Sequence, residues 1–202
     1  MRKMVLLGAA LLVVCASASL AEEPKKMQQP SAEEKAAMEA MMKAATPGDM
    51  HKKLSAMVGI FDVKVTMWNM PGQPPTDSTG RSENAWILGG RFVEQKFTGN
   101  FMGMPFNGIG YTGYDNVKKE YIGTWIDNFG TQMMVSNGNL GADGKTYTFT
   151  SSMSDPMSGK TMPVQEKVTV VDNDHHVMEM WGPAPDGKMY KMMEITYTRK
   201  KS

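Results

Sequence analysis

From Gly59 onward the chain alternates. In FDVKVTM, Phe61, Val63, Val65 and Met67 fall on one face and Asp62, Lys64 and Thr66 on the other. This is the two-residue period of a half-buried strand. The same period runs through RSENAWIL, RFVEQKFTGNF, FNGIGYTGY, EYIGTWID, TQMMVSNGNL, KTYTFTSSM, VQEKVTVV, HHVMEMW and KMYKMMEITYTR. Turn sequences such as PGQPPTD, GADG, SDPMSGK, DND and GPAPDG separate these runs. About ten strands so closely spaced leave no room for the dozen or so residues that each parallel crossover needs. The pattern predicts an all-β fold, an antiparallel meander of about ten strands closed into a barrel over residues 59–200.

Upstream the period is helical. Ser31 and Glu34 form a capping-box pattern ahead of EKAAMEAMMKAA, predicting a helix from about Ala32 to Ala45 that Pro47 and Gly48 stop. A second, short helix from about Asp49 to Met57 places Met50, Leu54 and Met57 on one stripe. Residues 31–58 thus read as an N-terminal helical segment, and the polar, proline-punctuated stretch 22–30 as a flexible leader. Before it, Arg2 and Lys3 precede an apolar run from Met4 to Val14, and Ser19 and Ala21 precede Glu22. That is the anatomy of a signal peptide over residues 1–21, cleaved near Ala21, with too short an apolar run to span a bilayer. The expected location is periplasmic or secreted, with no transmembrane span in the mature chain.

Export changes the chemistry available. The single cysteine, Cys15, lies inside the signal sequence, and Val14 stands where lipid attachment would want a small residue. The mature chain therefore has no disulfide, thiolate nucleophile or cysteine metal site. Removing Arg2 and Lys3 takes the formal charge from +1 to −1. A chain this neutral has no electrostatic footprint for nucleic acid.

Three candidate motifs dissolve on inspection. Gly108, Gly110 and Gly113 have the G-x-G-x-x-G spacing, but a dinucleotide turn needs a helix opening on the glycines inside a βαβ unit. Here they sit within a strand, where glycine marks a bend or a close approach. SDPMSGKT has Ser154 at the first glycine position of a phosphate loop, and no helix follows. His175 and His176 are neighbours on one strand and point to opposite faces. A symmetric GPAPDG turn sets His175 opposite Glu194 as a candidate acid–base pair, and otherwise both histidines read as solvent-side residues at a strand end. No catalytic constellation emerges, and a non-enzymatic role is expected.

Methionine is abundant: 20 of the chain's 22 lie beyond residue 21. Thioethers suit Cu(I), and His176, Met178 and Met180 share one strand face, so a copper site on those three is the alternative reading. Methionine is also an adaptable apolar filler for a core or ligand cavity, and its dispersal over nearly every element favours that role. Tyr121, Gly123, Trp125 and Asp127 share one face of a strand, and Glu166, Glu179 and Glu194 fall in three others. Any that point inward would give a pocket with aromatic walls and a few orienting polar groups.

The stretches HKKLSAMVGIFDVKVTMW, SENAWILGGRFVEQKFTGNFMGMPFNGIGYTGYDNVKKEYIGTWIDNFGT and MEITYTRK resemble the bacterial family called domain of unknown function 1579. The resemblance runs from about His51 to Lys200, with ILGGRF, GYD at Gly113–Asp115 and TWID at Thr124–Asp127 as its more specific runs. It implies a lipocalin-like, calycin-type barrel that holds small apolar molecules, and brings no catalytic residues. Calycin barrels commonly open with Gly-x-Trp, whereas this chain has Gly59-Ile60-Phe61, without the indole donor. The expected function is non-enzymatic binding of a small apolar molecule or lipid in the barrel lumen, without a cofactor. Phe61, Val63, Val65 and Met67 form one expected wall, the helices cover one end, and Trp125 and Asp127 give polar contacts with Tyr111 behind them. A structural barrel without ligand is the third reading.

Overall fold

The computed structural model describes residues 29–156 and 158–201. The expected signal sequence, Cys15 and most of the leader lie outside the described residues.

Among the described residues, ten strands form one closed antiparallel barrel: β1 (Gly59–Met67), β2 (Thr76–Ile87), β3 (Phe92–Phe101), β4 (Met104–Asp115), β5 (Glu120–Asp127), β6 (Met134–Leu140), β7 (Thr146–Ser154), β8 (Thr161–Val170), β9 (His175–Pro183) and β10 (Met189–Arg199). Each strand pairs with its sequence neighbours, and β1 closes the circle on β10, so no edge remains unpaired. The two-residue alternation sets what points inward. Phe61, Val63 and Val65 are buried, while Lys64 on the outer side of β1 bridges to Asp77 on β2 at 2.9 Å.

The lower end of the barrel is plugged. The helix α2 (Asp49–Lys52) runs into a 3₁₀ turn over Lys53–Met57, and Leu54 packs, fully buried, among Val93, Tyr121, Tyr147 and Phe149. Two phenols fasten it: Tyr121 donates to the Met50 carbonyl at 2.8 Å and Tyr147 to the Lys53 carbonyl at 3.0 Å. Burial raises both pKa values, that of Tyr121 to about 12, so both hydroxyls stay protonated donors. His51 starts α2 by accepting from the Gly48 amide at 3.1 Å, its ring edge against Tyr114.

Arg199, opposite Phe61 in the register, completes the plug. It donates to the carbonyls of Val58 (2.7 Å), Ala56 (3.0 Å) and Asn173 (2.8 Å), and its guanidinium lies 4.7 Å above the Phe61 ring. This cation supplies donors to the plug where the sequence lacks the tryptophan of a Gly-x-Trp opening. Gly59 makes room for it: the backbone has φ +140, and a Cβ there would collide with the guanidinium.

The longer helix α1 (Ala32–Ala45) has the predicted Ser31–Glu34 capping box but buries none of its residues. It stands outside the plug, and the Asn116 amide holds its end by donating to the Ala44 and Thr46 carbonyls. The end of the barrel is therefore covered by α2 and the 3₁₀ turn rather than by both helical elements. Among the described residues, no helix is long and apolar enough to cross a membrane.

Candidate functional site

Above the plug the barrel encloses a cavity of about 670 Å³, within the range of small-molecule sites. Leu54 and Met57 form its floor, and Phe101, Phe129 and Pro156 stand at the opposite, loop-bearing end. Among the described residues, eight methionines line it: Met57, Met67, Met134, Met153, Met178, Met180, Met192 and Met193. They are dispersed in the chain and gathered in space, because most occupy inward positions of their strands. Met192 and Met193 are consecutive yet both face in, because β10 is bulged against β9 between Lys191 and Met193.

Phe97, Phe101, Phe106, Trp125 and Phe129 supply aromatic wall, and Phe106 lies edge-on to Phe97 and Phe101. Trp125 is held by both its neighbouring strand and its own. On β4, Gly108 and Gly110 lie across from Asp127 and Trp125, and the indole covers both glycines. Its Nε1 donates to Asp127 Oδ2 at 2.9 Å, and Asp127 Oδ1 accepts from the Phe129 amide at 2.9 Å. The G-x-G-x-x-G spacing is thereby explained. Gly108 and Gly110 admit a tryptophan flat against the barrel wall, and a Cβ at Gly113 would press on the Phe92 ring.

A Cβ at Gly108 would collide with that indole, which is fixed on its far side by Asp127. Gly108→Ala is expected to destabilise the fold by about 2 kcal/mol through overpacking. It should also change the Trp125 environment, visible as altered near-ultraviolet circular dichroism. Unchanged stability and an unchanged spectrum would show that the indole does not rest on Gly108.

A second polar system crosses the lower lumen. Gln95 Nε2 donates to Ser82 Oγ at 2.9 Å and to Tyr197 Oη at 3.2 Å. Ser82 donates to Asn84 Oδ1 at 2.7 Å, and Asn84 donates to the Met57 carbonyl at 2.8 Å. Sequence reasoning passed over this chain of residues, although its signal was present. Ser82 and Asn84 share the parity of Trp86, Gln95 that of Val93 and Phe97, and Tyr197 that of Ile195. Tyr197 is stacked at 4.2 Å on His176, whose ring also meets Phe61 edge-on at 4.7 Å.

The residues singled out from sequence divide by depth and face. Val65, Met67, Trp125 and Asp127 line the cavity. Phe61 and Val63 point inward but belong to the packed core with Val65, Phe97, Ile195 and Tyr197. Tyr111 is on the outer surface, where its hydroxyl donates to Glu94 at 3.3 Å. His176, Met178 and Met180 all line the cavity from one face of β9.

The anticipated pairing of His175 with Glu194 is corrected. His175 lies across from Thr198, and Glu194 across from Glu179. The physical reason is the β9–β10 connection, which closes between Ala184 and Lys188 rather than symmetrically about GPAPDG, together with the bulge in β10. His175 bonds Asp172 at 2.9 Å at the strand end, whereas His176 is buried rather than solvent-side. Of the three carboxylates considered, only Glu166 enters the lumen. Glu179 and Glu194 hold Lys191 between them, at 3.3 and 2.5 Å.

No curated protein matches the chain. Among solved structures, the crystal structure of Rv2717c from M. tuberculosis is similar, at a TM-score of 0.56 and 13% identity, covering 77% of this chain and 100% of that one. At that identity the likeness speaks for the fold alone. A redesigned β-barrel also matches, at a TM-score of 0.41 and 16% identity over 76% of this chain and 100% of its own. The family described as "Protein of unknown function (DUF1579)" matches residues 46–199, the plug and the whole barrel. The chain belongs to that family.

Proposed function

We propose that this protein is an exported, non-enzymatic protein that binds a small, mostly apolar molecule or lipid in its lumen. The observation that carries the reading is the cavity of about 670 Å³, floored by the plug and walled by eight methionines and an aromatic set. Burying an apolar ligand there removes its surface from water, at roughly 25 cal/mol per Å². The methionine walls adapt to the ligand's shape, since an unbranched thioether has several accessible rotamers. Trp125 is the broadest side chain of the wall, and the Trp125–Asp127 bond fixes its orientation.

Native mass spectrometry of the mature chain from Glu22, expressed with export and purified without detergent, tests this. Extra mass that disappears on denaturation is expected and gives the ligand's mass. Trp125→Ala should weaken retention of that ligand. An apo mass that persists after incubation with lipid extract would favour a barrel filled only by its own side chains. Copper is the alternative occupant, supported by the common placement of His176, Met178 and Met180 on the cavity wall. Anaerobic Cu(I) titration weaker than micromolar would remove it.

A further inference from the structure

The charges that line the lumen are all of one sign. Among the described residues, no lysine or arginine lines the cavity, while Asp127 and Glu166 both do. The two carboxylates differ in what they have left to offer. Asp127 has both oxygens engaged, one by the Trp125 indole and one by the Phe129 amide. Glu166 accepts from Ser151 Oγ at 3.1 Å, and among the described residues Ser151 is its only hydrogen-bond partner. Its second oxygen is available to whatever occupies the cavity.

Glu166 is inward because of strand parity. On β8 it lies between Val164 and Val168, and in the register it faces Phe149 on β7 and Met180 on β9, two cavity-lining residues. A carboxylate among apolar groups is held there at a cost that a partner with N–H donors offsets. The aromatic side chains that line the cavity with it, among them Phe97, Phe106 and Trp125, are of the type that attracts a cation through the ring quadrupole. Burial raises the Glu166 pKa, the direction expected of a carboxyl that lacks a cation.

We infer that the lumen selects an amphiphilic amine, an apolar body bearing an ammonium group that donates to Glu166, and discriminates against anionic lipids such as fatty-acid carboxylates. This rests on the lumen being a ligand site, and it names the ligand class that site takes. A fatty-acid anion would place a second carboxylate beside Glu166 with no cation to meet either, and so binds poorly. Glu166 is a specificity-determining contact: the methionine and phenylalanine walls bind the chain, and the carboxylate chooses its head.

The test is calorimetric titration of the mature full-length chain with dodecylamine, dodecanol and dodecanoate, each below its micelle concentration, at one pH and ionic strength. The expected order is amine first and carboxylate last, with the amine at least about tenfold tighter than the carboxylate, the value of one charge-assisted hydrogen bond. Glu166→Gln should erase the advantage of the amine over the alcohol while leaving dodecanol affinity within about twofold. Glu166→Met provides a second variant that removes a buried carboxyl in favour of a side chain the lumen already uses. It should tighten dodecanol and lose the amine preference. Equal or tighter binding of dodecanoate by the wild type, or an amine preference that survives both substitutions, overturns the inference while leaving the lumen a ligand site. Failure of all three probes to bind overturns the ligand-site reading and the inference with it.

Discussion

Arg199→Ala will cost the barrel about 3–4 kcal/mol, the largest loss expected of any single substitution considered. Three charged hydrogen bonds end on this one side chain, to the carbonyls of Ala56, Val58 and Asn173. Bonds to charged groups are each worth roughly 1.5–3 kcal/mol, and removing the donor leaves part-buried carbonyls without partners. The guanidinium also covers the Phe61 ring, so alanine opens the seam between plug and barrel. Arg199→Lys should recover less than half of the loss, because an ammonium is a point donor and cannot reach three carbonyls in a planar fork. Urea unfolding of the three proteins measures this. A loss below about 1 kcal/mol would mean that Leu54, the two phenols and the Asn84–Met57 bond hold the plug without Arg199.

Acidification should destabilise the protein through His176, by on the order of 3 kcal/mol between pH 6.5 and 4. The ring is 4% exposed, stacked on Tyr197 and edge-on to Phe61. Burial, and then the nearby Arg199 cation, push its pKa down from 6.5 to about 4. Well above pH 6.5 the ring is neutral in folded and unfolded chains alike and contributes nothing to the pH dependence. Below it the unfolded chain takes up a proton that the folded chain refuses, so stability falls as the pH falls. Glu166 acts with the opposite sign, because burial raises its pKa and the folded state keeps its proton longer. The clean measurement is therefore a difference. Wild type should lose on the order of 3 kcal/mol more than His176→Phe between pH 7 and 4. Parallel acid profiles would show that water reaches the ring and that it titrates freely.

Arg199, Phe61, His176 and Tyr197 form a layer at the base of the lumen, and the Gln95–Ser82–Asn84 chain joins Tyr197 to the plug carbonyl of Met57. The depth of the cavity is thus set by the same contacts that stabilise the closed end. The Arg199→Ala protein should for that reason bind apolar ligands less tightly even under conditions where it stays folded.

The architecture was legible in the sequence because it depends on local chemistry. Two-residue alternation tells which strand positions share a face, and closely spaced turns forbid crossover helices. Ser31 and Glu34 mark a helix start with their own side chains. That Val65 shares a face with Met67, and Trp125 with Asp127, follows from the same parity. Parity alone does not give depth. Phe61 and Val63 share a face with Met67, yet Phe97, Ile195 and Tyr197 pack on them and make them core rather than cavity. Nor does it identify which parity is inward: Tyr111 differs by one residue from Gly110 and so lies outside, against Glu94.

Only the tertiary structure decided what the dispersed residues do together. Methionines from elements more than a hundred residues apart converge on one cavity because ten short strands wrap around a single axis. The loop and bulge between β9 and β10 moved His175 away from Glu194, since a few residues of slip between strands leave every local propensity unchanged. Glu166, Glu179 and Glu194 look alike in the sequence, and their strands alone do not separate them. Closure of the barrel turned one of them toward the lumen and gave the other two a lysine outside. A chain encodes alternation and turns within a few residues, whereas register, depth and convergence are properties of contacts made after the barrel has closed.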